Sequence, residues 1–288
     1  MAPGVPANGT ASVALITGCS SGIGRLAARR FARAGFRVFA SMRDPKRGAT
    51  LREEAVREGW WLRTPALDVR RDESVTSAVS ELLEATGGRI DVLVNNAGYL
   101  CIGSLEETSP EELAAQLETN VIGVLRTTRA VLPAMRARRS GAVVNVSSVL
   151  GRVVIPVNGP YQASKWALEA LTETLRYEVR PWGIRVACVE PGPFETEIRS
   201  NLVRTGDGQG QDSPYTWMVD RYLESSARLR RGDPGRVAEV IFRAATVPRP
   251  RLRWAVGSTA LLSANLRRLL PDWFYELGMR WLLRRPRL

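Results

Sequence analysis

The sequence predicts an α/β fold in which a doubly wound parallel sheet is covered by helices on both faces. Three observations carry that expectation. Short β-branched runs alternate with longer segments of helical period over the first two thirds of the chain, the runs are apolar throughout, and a glycine-rich turn joins the first run to the first helix. Continuously apolar strands are those buried on both sides, as in parallel sheets. At 288 residues the chain fills one core of ordinary size, and no repeat or linker divides it.

The run SVALIT (12–17) reads as the first strand and leads through the glycine turn into a helix from about 22 to 34, stopped by Gly35. FRVFAS (36–41) is the second strand. A helix at 46–58, a strand at 60–67, a helix at 72–86 ended by Gly87-Gly88, and the strand IDVLVN (90–95) follow. A long helix at 109–138, the strand GAVVNVS (141–147), a helix at 160–180 and the strand GIRVACV (183–189) complete the alternation. After Pro191 the pattern breaks into a polar, Gly-rich stretch at 201–213 and an aromatic helical stretch at 214–229, so residues 197–231 are expected to form a lid. A helix at 234–247 and a strand at 251–257 return to the core. The expected organisation is a flexible N-terminus (1–11), one domain (12–257) and a basic amphipathic tail (258–288).

Composition excludes several chemistries. The chain has no histidine, so Ser-His-Asp and Cys-His nucleophiles, HExxH zinc sites and imidazole switches are ruled out, and no metal site is expected. Of 41 basic residues only Lys46 and Lys165 are lysine. Cys19, Cys101 and Cys188 are too few and scattered for a disulfide framework, which favours a reducing compartment and a cytoplasmic location. Residues 1–11 do not read as a secretory signal, and no apolar stretch approaches the roughly 18–20 residues of a membrane span. The net charge of +12 is concentrated at the end: from residue 249 on there are nine arginines against Asp272 and Glu276. No nucleic-acid-binding motif accompanies them.

Thr17-Gly18-Cys19-Ser20-Ser21-Gly22-Ile23-Gly24 follows a strand and opens a helix, where backbone N–H groups and the helix dipole can meet a pyrophosphate. A Rossmann-type fold with Gly18, Ser20, Ser21, Gly22, Ile23 and Gly24 at a dinucleotide is the expectation; a turn that binds nothing is the plain alternative. At the end of the second strand, Ser41-Met42-Arg43-Asp44 puts Met42 where an acid for the ribose 2′-OH is expected and Arg43 where a guanidinium would accept a 2′-phosphate. NADP(H) is therefore favoured, with NAD(H) possible if Arg43 is only a surface residue and Asp44 binds the ribose.

Tyr161 and Lys165 stand at i and i+4, on one face of a helix. A neighbouring ammonium favours the phenolate of a tyrosine whose ordinary pKa is about 10, which offers proton transfer without histidine. Ser148, at the carboxyl end of a strand, is placed to hold a substrate carbonyl.

With these residues in hand, the chain resembles the short-chain dehydrogenases and reductases over residues 12 to about 257. The resemblance rests on TGCSSGIG, Asp68-Val69, Asn95-Asn96-Ala97-Gly98, Asn120 in TNVIG, Ser148, YQASK and Pro191-Gly192-Pro193. It implies a catalytic set of Asn120, Ser148, Tyr161 and Lys165. Tyr161 would move the substrate proton, Lys165 would bind the nicotinamide ribose and lower the tyrosine pKa, and Asn120 would anchor a water of the proton relay. It also implies cofactor contacts from Asp68 and Val69 at the adenine, from Asn96, Ala97 and Gly98 at the adjoining ribose, and from Pro191, Gly192, Phe194 and Thr196 at the carboxamide end. Asn95, Ala97 and Pro193 could instead simply shape turns.

CSSGIG, VFASMRD and VPRPRLRWAVG resemble most the branch with 17β-hydroxysteroid and retinol dehydrogenases, which implies a lipophilic alcohol or ketone. Steroid enzymes of that branch can use a pocket histidine, and this chain has none, so steroid specificity is not carried over. Tyr215, Trp217, Met218 and Tyr222 suit an apolar ligand or ordinary packing alike. In the tail, Leu270, Trp273, Phe274, Leu277 and Trp281 form a stripe with arginines beside it, suited to a membrane interface or to packing over the cleft or a second subunit. The resemblance implies a homodimer or homotetramer. A cofactor-binding sensor without turnover, and an isomerase or dehydratase on the same fold, are the alternative functions.

Overall fold

The computed structural model describes residues 11–194, 202–206, 213–229, 231–258, 267 and 269–282, with side chains to Arg280. In chain order its elements are β1 (Val13–Ile16), α1 (Gly22–Arg33), β2 (Arg37–Ala40), α2 (Ala49–Arg57), β3 (Leu62–Arg63), α3 (Asp72–Thr86), β4 (Val92–Asn95), β5 (Cys101–Ile102), α4 (Pro110–Leu117), α5 (Gly123–Ala137) and β6 (Gly141–Val146). They continue as α6 (Gly159–Glu178), β7 (Ile184–Pro191), β8 (Val203–Arg204), α7 (Thr216–Arg228), α8 (Gly235–Thr246), β9 (Arg253–Val256) and α9 (Asp272–Leu282).

Seven strands form one sheet in the order β3-β2-β1-β4-β6-β7-β9, every neighbouring pair parallel. This is the doubly wound Rossmann-type sheet that the apolar runs predict. Because strand side chains alternate, Ala14, Ile16, Val38 and Ala40 face one core with α1 and α8, while Val13, Leu15 and Phe39 face another with α3 and α5. In the first core Phe31, Phe36 and Phe242 meet edge to face, with centroids 5.0–6.0 Å apart.

Two expectations change. The strand at 60–67 pairs only over Leu62–Arg63, with a single further bridge from Met42 to Ala66. The long helix at 109–138 is interrupted by a π-turn at Glu118–Ile122, which separates α4 from α5 and carries Asn120. A small parallel pair, β5 with β8, lies apart from the main sheet and was not expected. Within the expected lid, α7 is helical as read, while residues 197–201, 207–212 and 230 lie outside the described residues, as do 259–266, 268 and 283–288 of the tail.

Candidate active site

The strand order reverses direction between β1 and β4, so the turns after these two strands meet at the carboxyl edge of the sheet, where such folds bind ligands. The Thr17 hydroxyl accepts from the Asn96 and Ala97 amides at 3.0 Å each, and Asn96 Nδ2 donates to the Thr17 and Gly18 carbonyls at 3.0 and 3.2 Å. Gly18 has φ +72°, and a Cβ there would sit 2.8 Å from Ala97 Cα; a Cβ on Gly24 would sit 2.4 Å from Asn96 Nδ2. These two glycines are thus required by the neighbouring turn itself. The Ser21 side chain makes no capping bond to α1, which leaves the first N–H groups of that helix to an anion.

In front of this edge lies a cavity of about 620 Å³. It is lined by Gly18, Ser20, Ser21, Gly22, Ile23, Arg43, Asp68, Val69, Asn96, Ala97 and Gly98, eleven of the residues expected at a dinucleotide. Gly24 stands behind them, packed on Gly18. A serine hydroxyl pair, an open helix N-terminus and a guanidinium in one cavity fit a phosphorylated dinucleotide. Arg47, Arg70, Tyr99 and Cys101 also line it and had no motif to announce them. Arg70 forms an ion pair with Asp68 at 2.7 Å, and its bond holds the Asp68 carboxyl below the usual range. Met42 is buried at the end of β2, and Asp44 accepts from the Lys46 amide at 3.0 Å as the cap of the next turn.

Beyond the cavity, β6 and α6 bring Ser148, Tyr161 and Lys165 together. Ser148 lies beside the Tyr161 hydroxyl, and Lys165 Nζ stands 5.6 Å from the Tyr161 ring centre while donating to the Val146 carbonyl at 2.9 Å. All three are buried. Burial pushes Tyr161 up to about 12, opposed by the neighbouring Ser148 hydroxyl, and brings Lys165 down to about 8. The direction of the Tyr161 shift is set by desolvation, opposite to the lowering expected from the lysine. Asn120 Nδ2 donates to the Tyr99 carbonyl and to Ser164 Oγ, at 3.2 and 3.0 Å, and its Oδ1 accepts from the Tyr99 amide. The π-turn thus anchors α6 to the wall of the cavity.

That wall uses strand alternation. Tyr99 and Cys101 line the cavity, whereas Leu100 and Ile102 pack with Tyr161 on the other side. Leu150, Leu202, Val219, Tyr222 and Leu223 complete this second, apolar surface, so α7 lies against the tyrosine. Of the aromatic residues expected on the lid, Tyr222 joins that cluster; Tyr215 instead hydrogen-bonds Glu106. Pro191 ends β7 opposite Val256 of β9, and the Gly192 N–H just beyond it donates to the Val256 carbonyl at 2.9 Å. The Phe194 ring is turned into the core against Gly232, leaving only its backbone for a ligand, and Thr196 lies outside the described residues. Asn95 is a core residue that joins Thr127, Thr128 and Asn145 in a buried hydrogen-bond chain.

The sequence profile described as short chain dehydrogenase matches residues 12–206. The chain belongs to the short-chain dehydrogenase family. It is similar to retinol dehydrogenase 8 of Bos taurus (39% identity, 83% of this chain and 79% of the relative) and to 17-beta-hydroxysteroid dehydrogenase type 1 of Homo sapiens (37%, 84% and 76%). It is also similar to 3-ketodihydrosphingosine reductase of Bacteroides thetaiotaomicron (33%, 93% and 96%). Solved relatives include a short-chain dehydrogenase from Streptomyces avermitilis (TM-score 0.80, 34% identity, 94% and 96% covered). Another, from Burkholderia phymatum, was solved with NAD (0.79, 27%, 93% and 95%), and an actinorhodin polyketide ketoreductase was solved with NADPH (0.71, 31%, 86% and 97%). The protein is accordingly an NAD(P)-dependent oxidoreductase of the branch that the sequence resembles.

Proposed function

We propose that this short-chain dehydrogenase uses NADP(H) to interconvert a lipophilic secondary alcohol and its ketone, with Tyr161 as the acid and base. The observation that carries the reading is the position of the Tyr161 hydroxyl. It lies beside Ser148 and Lys165, in a residue packed against an apolar surface made by Leu150, Val219, Tyr222 and Leu223. Such a surface takes an apolar substrate, and steroid-, retinoid- and long-chain-like molecules all qualify. The names of the three relatives above are of that lipophilic kind.

The cofactor supplies hydride exchange at its nicotinamide when bound. Ser20, Ser21, Ile23 and the α1 N-terminus would hold its phosphates, Asp68 and Val69 its adenine, Asn96 to Gly98 a ribose, and Pro191, Gly192, Phe194 and Thr196 the carboxamide end. Ser148 fixes the substrate oxygen and stabilises charge developing on it. Tyr161 gives that oxygen a proton in reduction and takes it in oxidation. Lys165 holds the nicotinamide ribose and favours the phenolate, and Asn120 secures the water path behind it. NADP preference is supported by Arg43 in the cavity, by buried Met42 in place of an acid, and by Asp44 being engaged as a cap.

We assign residues 12–257 to the catalytic domain and 258–288 to a tail. Exposed Ile122, Leu125 and Trp166 on the α5 and α6 side support a homodimer or homotetramer. The stripe of the tail suits a peripheral membrane contact and packing over the cleft or a second subunit alike, and exposed Trp273, Phe274 and Leu277 support the first. NADPH oxidation followed by absorbance against steroids, retinoids, aliphatic ketones and aromatic ketones tests the substrate class. Turnover only of small polar ketones would overturn it, and a lower Michaelis constant for NADH would overturn the cofactor preference.

A further inference from the structure

The catalytic lysine has a charge problem. Its ammonium is buried, its hydrogen bond is to the neutral Val146 carbonyl, and a buried cation needs a counter-charge. One turn along α6, Glu169 is also buried. Each of its oxygens is taken: Cys188 Sγ donates to Oε1 at 3.0 Å and Arg253 Nε donates to Oε2 at 2.9 Å. Cys188 and Arg253 are partners in the pairing of β7 with β9, so the sheet itself orients the carboxylate.

A second buried acid, Glu190, stands two residues beyond Cys188 on the same face of β7, only 1% exposed. Its contacts are long: Arg152 at 3.4 Å and Arg253 at 3.5 Å. Arg253 is shared with Glu169 and also with Glu173, at 2.7 Å. The turn bearing Gly151 and Arg152 closes the cluster, because a Cβ on Gly151 would touch Ser147 Oγ, Glu169 Cγ and the Lys165 carbonyl at 2.9–3.2 Å. Ser147 Oγ is buried there without a hydrogen-bond partner.

We propose that Glu169, oriented by Cys188 and Arg253, is the positioning residue of Lys165, supplying the buried counter-charge of its ammonium, and that Glu190, which shares Arg253 with Glu169, is the second acid of this site. The groups facing this site are Tyr161, Lys165, Glu169 and Glu173 from α6, Cys188 and Glu190 from β7, Arg253 from β9 and Arg152 from the turn after Ser148. Two carboxylates close together in a buried site do not both ionise easily, and Glu190, with the poorer contacts, is where the proton stays. Its carboxyl is accordingly raised by burial and by Glu169 to about 7, and the Cys188 thiol stays neutral because burial pushes it up. The consequence for turnover rests on the role given above to Lys165; the charge relationship itself does not.

The two-lysine composition allows a direct test. Labelling lysine with ¹⁵N gives side-chain signals from Lys46 and Lys165 alone, and Lys46 is exposed and serves as the internal control. In Glu169→Gln, the titration midpoint of Lys165 is expected to fall by about one pH unit or more while Lys46 stays put; an unmoved Lys165 in the folded variant overturns the proposal. If Glu169→Gln does not fold, the wild-type Lys165 signal carries the test. It is expected to show a second inflection near neutrality that Glu190→Gln removes. Its absence from the wild type, or its survival in Glu190→Gln, overturns the pair. Failure of NADPH to bind in a parallel fluorescence titration would overturn the functional reading and leave the lysine result standing.

Discussion

The hydroxyl of Tyr161 is the one atom of this chain that the proposed chemistry cannot replace. Tyr161→Phe is expected to lower kcat by about 10²–10⁴-fold while NADPH fluorescence titration gives a near-normal affinity; turnover at the wild-type rate would remove the residue from proton transfer. Glu190 has a consequence for stability as well. In the folded chain it keeps its proton up to about pH 7, whereas an unfolded glutamate loses it near 4.5. Unfolding therefore releases a proton between those values, so this group's contribution is full below about 4.5 and is lost as pH rises through 7. Thermal melts at pH 4.5 and 8 are expected to show a larger drop for wild type than for Glu190→Gln, by up to about 2 kcal/mol; equal drops would mean that the acid is ionised throughout. Tyr161, Lys165, Ser148 and Arg43 were legible because their spacing and strand-end positions carry the chemistry. Glu169 and Glu190 were not, because nothing in a sequence shows that a charged residue on an amphipathic helix and one at a strand end face each other across a buried gap.

Among the elements, the glycine turn is held by its neighbour as much as by any ligand. Gly24→Ala is expected to cost about 1–3 kcal/mol in stability and to weaken NADPH binding, because the new Cβ meets Asn96 Nδ2 and the Gly18 carbonyl at 2.4 Å. Denaturant unfolding and NADPH titration check both, and a variant unchanged in each would show that the turns after β1 and β4 are not tied. On α7, Leu223→Asp places a charge in the apolar cluster beside Tyr161 and is expected to raise the Michaelis constant for an apolar ketone by tenfold or more, on the order of 1–3 kcal/mol, with NADPH affinity unchanged. The α1, α6 and α8 helices and the apolar strands were readable from period alone. The π-turn was not, since apolar spacings of three and four absorb one extra residue without breaking the pattern. The pairing of β5 with β8 was hidden for another reason: two-residue strands have no period to read.

In the molecule as a whole, α9 carries exposed apolar side chains together with an exposed arginine. Tyr275 on α9 donates to the Val154 carbonyl at 2.5 Å, on the segment between Ser148 and Tyr161, while Leu269, Trp273, Phe274 and Leu277 remain exposed. Arg267 lies over the Tyr275 ring and Arg280 is exposed beside this apolar surface. The Trp281 side chain lies outside the described residues, and no helix among those described is long and apolar enough to cross a membrane. The full chain is expected to float with anionic vesicles, and replacing Trp273, Phe274 and Leu277 together by alanine is expected to reduce the bound fraction about tenfold or more. Flotation unchanged by the triple substitution, or absent in the full chain, would leave the tail to a protein surface.

The sequence by itself determined the layered α/β architecture, the glycine turn, the Tyr161-Lys165 spacing and the exclusion of histidine chemistry, because periodicity, strand polarity and residue inventory are properties of the chain. Only the tertiary structure decided which residues share a wall. It set Tyr99 and Cys101 toward the cavity at the carboxyl edge of the sheet and Leu100 and Ile102 toward Tyr161, turned the Phe194 ring into the core, and gathered Glu169, Glu190, Arg152 and Arg253 behind Lys165. The physical reason is that burial and charge pairing depend on contacts between segments distant in the chain. Those contacts are fixed only when β6, β7 and β9 lie side by side and α6 closes over them.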